Sequence, residues 1–178
     1  MNLPPPVSKA AFQRHQRKVH SATKSIAESS MQQAVAEVKA VNAEKEPADC
    51  TVAVTFDGMW MKRGFTSLHG VFTCIHWETG RVLDLKVSTK YCQACKQWKE
   101  RKEHNKISHG EYTAWKDGHS ANCPVNTQRS SPGMESEAAV VLWQRSVERN
   151  DLQYNIFIGD GDSKSFTAVK DVQPYGLN

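Results

Sequence analysis

Long apolar runs are missing from this sequence. Nowhere in its 178 residues does a stretch approach the roughly 20 apolar residues needed to cross a bilayer, so no transmembrane helix is expected. The opening residues, MNLPPPVSKAAFQRHQRKVH, hold no apolar core and no cleavage-like site, which argues against secretion. No Asn-x-Ser/Thr sequon occurs either, as suits an intracellular protein. Cysteine is sparse and odd in number: Cys50, Cys74, Cys92, Cys95 and Cys123. Such a set, without a secretion signal, argues against a disulfide framework. A composition of 39% hydrophobic and 24% charged residues is that of a soluble globular protein, long enough for one domain with its own core.

The charge is unevenly placed. Residues 1–48 carry seven Lys/Arg against four Glu, and residues 86–117 carry eight against four acids. Residues 118–178 reverse the balance, with five bases and seven acids. Basic outer segments and an acidic cluster near the end suit a chain that binds a polyanion and places a metal on it. A solvated surface is the plainer account.

Three prolines open residues 1–18, which read as a disordered basic leader. An N-terminal helix follows within 19–48. Ile26, Ala34, Val35, Val38 and Val41 recur at three- and four-residue steps, Ser21 is placed to cap the helix, and Pro47 ends it. From residue 49 onward the pattern changes. CTVAVTFDGMW is a β-branched strand running into an Asp57-Gly58 turn, GFTSLHGVFTCIHW a second strand, ETG a tight turn and RVLDLKVST a third strand, together an antiparallel meander. Residues 90–132 are polar and lysine-rich, too long for a simple loop, so something other than an apolar core must order them. MESEAAVVLWQRSVERN then forms a helix capped by Ser131, with Met134, Ala138, Val141, Leu142 and Val147 on its inner side. The strand LQYNIFIG leads into an acidic turn, and SKSFTAVKDV is a further helix or loop. The fold class is therefore α/β, with a mixed sheet.

Two strand ends look alike. VAVTFDG and NIFIGDG each run apolar residues into an Asp-Gly. As neighbours in one sheet, such strands would bring Asp57 and Asp160 close enough to repel, unless Mg²⁺ or Mn²⁺ offsets the charge. Glycine after each aspartate would admit a backbone or a phosphate. An EF-hand loop starting at Asp160 fits poorly, since Lys164, Ser165 and Asp171 fall at its fifth, sixth and twelfth positions. Between these segments, Cys92 and Cys95 form a CxxC pair, and His119 and Cys123 an HxxxC pair. Together they suit one structural Zn²⁺, which would close the polar insertion. His104 and His109 are rival ligands. Cys50 and Cys74 lie in strands and read as small buried residues.

VTFDGMWMKRGFTSLHGV, GRVLDLKVSTKYCQAC, WKDGHSANCPVN, SSPGMESEAAVVLWQRSVERNDLQYNIFIGDGDSKSF and PYG, taken together over about residues 20–178, resemble the Mutator-like transposase domain. That resemblance implies an RNase H-like fold and metal-dependent DNA strand cleavage and transfer on two metal ions. Asp57 becomes the first metal ligand and Asp160 the second, with Asp162 as the alternative. Lys62, Arg63, Lys164 and the basic insertion become candidate phosphate contacts. The third acid of the family is expected on a later helix, whereas this chain ends at Asn178. The expectation is thus an incomplete catalytic domain, truncated or domesticated, with its activity left open. Glu135 or Glu137 would be the substitute acid, against the plainer account of first-turn acids favoured by the helix dipole. The alternative function is a non-enzymatic, zinc-stabilised DNA- or protein-binding module. DNA is the expected partner, the nucleus the expected place, and self-association an open question.

Overall fold

Alternating β-branched and aromatic side chains build the first strand. β1 (Thr51–Trp60) turns Val52, Val54 and Phe56 inward, with exposed Asp57 and Met59 at its far end. It pairs antiparallel with β2 (His69–His76), Phe56 opposite Cys74 and Gly58 opposite Phe72. A turn through Gly80, at φ 64°, leads into antiparallel β3 (Val82–Thr89). β4 (Gln153–Ile158) lies on the other side of β1 and runs parallel to it, from Thr51 opposite Gln153 to Thr55 opposite Ile158. Asn155 is the extra residue where the register shifts. The result is a mixed α/β architecture on a four-stranded sheet of order β3-β2-β1-β4. This computed structural model describes residues 7–45, 50–62, 66–159 and 163–176.

The chain divides into two units, Met1–Asp49 and Cys50–Asn178. The described residues of the first form one helix, α1 (Lys9–Lys45). It starts well before Ser21, so residues 9–18 are helical where the sequence suggests a disordered leader. The cause is local. Ser8 accepts from the Ala11 amide at 3.2 Å, and alanine, glutamine, lysine and arginine fill the first turns.

In the second unit, α4 (Ser131–Gln144) packs on β2 and β3, burying Met134, Ala138, Ala139, Leu142 and Trp143. Its cap is Ser130 rather than Ser131, and Pro132 sits in the first turn, where its missing N–H costs nothing. Val141 is only half-buried and Val147 is exposed, because the helix breaks at Arg145 before resuming as α5 (Ser146–Asn150). Trp143 is the centre of the core. It stacks on Phe157 at 4.9 Å, meets Phe56 and Tyr154 edge-on, and donates from Nε1 to the Tyr154 carbonyl at 2.8 Å. The last helix, α6 (Ser163–Val172), lies against α4 and brings Phe166 to within 5.8 Å of Phe157. Tyr175, in the PYG segment, closes this end. Its hydroxyl meets Ser146 Oγ at 2.7 Å and accepts from the Tyr154 amide at 2.9 Å.

The break at Arg145 has a charge behind it. Asp84, on β3, is wholly buried. Arg145 donates to it twice, from Nε and Nη2, each at 2.8 Å, and also to the Leu85 carbonyl. Arg149 approaches the same carboxylate at 3.2 Å. A buried carboxylate is tolerated only when paired and hydrogen-bonded, so the α4–α5 junction is held where both guanidinium groups reach β3.

Asp57-Gly58, expected as a turn, lies inside β1, opposite Thr73 and Phe72. Gly58 is there for packing. A Cβ on it would sit 2.8 Å from two ring carbons of Phe72, and one on Gly70 would sit equally close to the same ring. The Phe72 ring thus lies over two glycines. Gly58→Ala should destabilise the protein by about 1–3 kcal/mol through overpacking, read as a lower denaturation midpoint in urea. Arg145→Met should cost about 3 kcal/mol, because it leaves the Asp84 charge short of a partner; an unchanged midpoint would contradict a charge-driven break between α4 and α5.

Candidate metal centre and acidic strand ends

The polar insertion folds as two helices, α2 (Gln93–Glu103) and α3 (His109–Ser120), neither with a buried residue. Two things hold them. One is a stack of flat rings. Trp98 lies on Trp115 at 4.6 Å and 4°, and Trp115 lies on His119 at 4.7 Å and 12°. The other is a knot of metal-ligand atoms. Cys92 caps α2, Cys95 lies in its first turn, His119 lies in the last turn of α3, and Cys123 follows the helix. Their ligand atoms all lie within 4.8 Å of one another.

Geometry and donor set both suit zinc. Two sulfurs at about 2.3 Å from a tetrahedral ion lie about 3.8 Å apart. Cys95 and Cys123 Sγ are 3.6 Å apart, and His119 Nε2 is 3.3 Å from Cys92 Sγ. Burial and mutual proximity also shift the thiols. Burial pushes the Cys95 thiol up, and the Cys123 and Cys92 thiols push it further, to about 12. Burial also acts to raise Cys92, but hydrogen bonds from the Cys95 amide and from His119 outweigh it and bring it down to about 7. A divalent ion would offset the repulsion among three thiolates. This Cys₃His group could hold zinc, as the two spacings suggest, and the rivals His104 and His109 stand outside it.

The centre also reaches the sheet. Beyond Cys123, Asn126 donates from Nδ2 to the Val87 carbonyl and accepts from the Thr89 amide, both at 2.8 Å, and its own amide donates to the Thr89 carbonyl. The insertion is thereby pinned along the outer edge of β3. This attachment has no motif to announce it in the sequence.

The acidic residues are placed less completely. Asp57 is exposed at the far end of β1, with Oδ1 accepting from the Gly58 amide at 2.7 Å. Because Phe56 faces Trp143 on α4, strand alternation turns Asp57 to the opposite face. Glu135 reaches the same end of β1 from the α4 side, its carboxyl carbon 3.7 Å from where a Cβ on Gly58 would lie. Glu137 accepts from Thr127 Oγ1 at 2.6 Å and so anchors the segment before α4. Asp160, Asp162 and Arg63 lie outside the described residues. Lys62 and Lys164 are exposed. Cys74 is buried, where desolvation pushes its thiol up, while Cys50 is half-buried just before β1.

Purified protein is expected to carry one zinc per chain by elemental analysis. Chelation or Cys95→Ser should abolish the circular dichroism of α2 and α3 while leaving the sheet folded. Zinc-free protein with unchanged helix content would refute the site. Trp115→Ala should weaken zinc retention against a competing chelator by about 10–100-fold, as expected for a group that orients a ligand.

No curated protein and no solved structure matches the chain. A family model described as Mutator-like transposase matches residues 1–178. With that match across its whole length, the chain belongs to the Mutator-like transposase family.

Proposed function

We propose that residues 50–178 are the core of an RNase H-like catalytic domain derived from a transposase, built to cleave and transfer DNA strands with Mg²⁺ or Mn²⁺. The observation that carries this reading is the parallel pairing of β1 with β4 as neighbours. Parallel neighbours finish on the same edge of a sheet. β1 carries Asp57 two residues beyond its last pair with β4, Thr55 opposite Ile158. In the sequence, Asp160 follows Ile158 by the same interval. In this reading Asp57 and Asp160 share the cation, with Asp162 as the alternative second ligand.

The residues of this chain would hold the metal and position the phosphate. When bound, the divalent ions supply an activated water or 3′-hydroxyl and steady the leaving oxygen. Glu135 approaches the same end of β1 but from the α4 side, the face opposite Asp57, so it reaches a metal held by Asp57 only around the strand end. Lys62 and Lys164, both exposed, are candidates for neutralising phosphate beside it. In the competing reading, a non-enzymatic module, the α2–α3 hairpin alone is functional; what favours it is that the ligand atoms of Cys92, Cys95, His119 and Cys123 converge within 4.8 Å of one another.

Incubation with supercoiled plasmid separates the two. The catalytic reading expects nicking that requires Mg²⁺ or Mn²⁺ and falls to background in Asp57→Asn, with zinc content unchanged. Absence of metal-dependent nicking, or nicking that survives Asp57→Asn, would leave the non-enzymatic module.

A further inference from the structure

α1 is one helix of two characters. From Glu28 to Lys45 it mixes three glutamates with two lysines and repeats apolar residues at 31, 34, 38 and 41. From Lys9 to Ala27 it holds Lys9, Arg14, Arg17, Lys18 and Lys24 and no acid at all. Every residue from Phe12 to Ile26 is exposed. The five bases are also ordered in space. At about 100° per residue they fan over about half the circumference, and His20 falls among them. Phe12, Val19 and Ile26, at seven-residue steps, line the opposite side. Between Lys9 and Lys24 the basic arc runs for about 22 Å at about 1.5 Å per residue.

A helical stretch exposed along its length gains little from the hydrophobic effect, and like charges at close spacing oppose its formation. A polyanion removes that opposition. Duplex DNA offers about one charge per 1.7 Å of its axis, so an arc of about 22 Å faces about six base pairs. An amphipathic helix lying on a membrane is the competing chemistry. It buries a broad apolar face, and the stripe here is a single residue wide.

We infer that the first half of α1, Lys9 to Ala27, is a binding surface for the DNA phosphate backbone, with Arg14, Arg17, Lys18 and Lys24 as its principal phosphate ligands. This deepens the proposed function by naming where duplex is held, and it does not depend on the chemistry at Asp57.

The test is the binding of the full chain to a short labelled duplex, followed by anisotropy across a salt series. The variant carries Arg14→Gln, Arg17→Gln, Lys18→Gln and Lys24→Gln, which retain helix propensity; circular dichroism and zinc content check its folding. It should bind at least about tenfold more weakly, and its salt slope should fall by about 0.9 for each phosphate no longer neutralised. A companion with Arg14→Lys and Arg17→Lys, which keeps the charge, should bind as the parent does. Unchanged affinity and slope in the glutamine variant would overturn the inference. So would parent protein that binds vesicles of anionic phospholipid through these residues while its duplex affinity ignores them. Binding is measured without divalent cation, where no strand cleavage is expected, so failure of the nicking reaction and failure of this surface are read separately.

Discussion

The pairing of β4 beside β1, in the same direction, is the constraint on which the second unit rests. A parallel neighbour cannot be reached by a hairpin, so the chain must cross over, and here α4 and α5 make that crossing. The crossover places Trp143 under the sheet, where it binds Phe56 from β1 and Phe157 from β4 into one aromatic cluster. It also sets Arg145 and Arg149 against Asp84 on β3. One pairing thus organises the core, the buried charge and the common edge at which β1 and β4 finish. The proposed chemistry is a consequence of that edge.

The α2–α3 hairpin is held by a different physics. α2 and α3 have no fully buried residue, Trp98 and Trp115 being half-buried, so they gain less from the hydrophobic effect that stabilises the sheet. Their order comes from ring stacking and ligand geometry, and the two are joined at His119, which is both a member of the Trp98–Trp115 stack and a candidate ligand. Asn126 then fastens the hairpin to β3, its side-chain amide hydrogen-bonding to the strand's backbone at Val87 and Thr89. A basic, coreless segment therefore remains attached to the sheet at a fixed place, which a flexible loop of the same composition would not.

Much of this is legible in the sequence where local rules decide. Alternating β-branched residues mark β1 to β3, CxxC and HxxxC mark the four candidate metal ligands, and the family match agrees with the resemblance carried by the quoted motifs. Legibility fails where tertiary packing decides. Ser131 looks like the cap, yet Ser130 takes that place. Asp57-Gly58 looks like a turn, but the glycine serves the Phe72 ring across the strand, a need that no local pattern reveals. Val147 fits the helical period and is nevertheless exposed, because a buried carboxylate distant in sequence breaks the helix at Arg145. The leader misleads for the opposite reason. Proline at its start suggests disorder, and the helix-forming residues from Lys9 onward outweigh it.

Whether the ends of β1 and β4 share one cation is measured directly by Mn²⁺ binding to the zinc-loaded protein, followed by electron paramagnetic resonance. A shared site gives a bound signal that is lost in Asp57→Asn and lost equally in Asp160→Asn, since each supplies half of it. Mn²⁺ that binds both variants as tightly as the parent would contradict such a site.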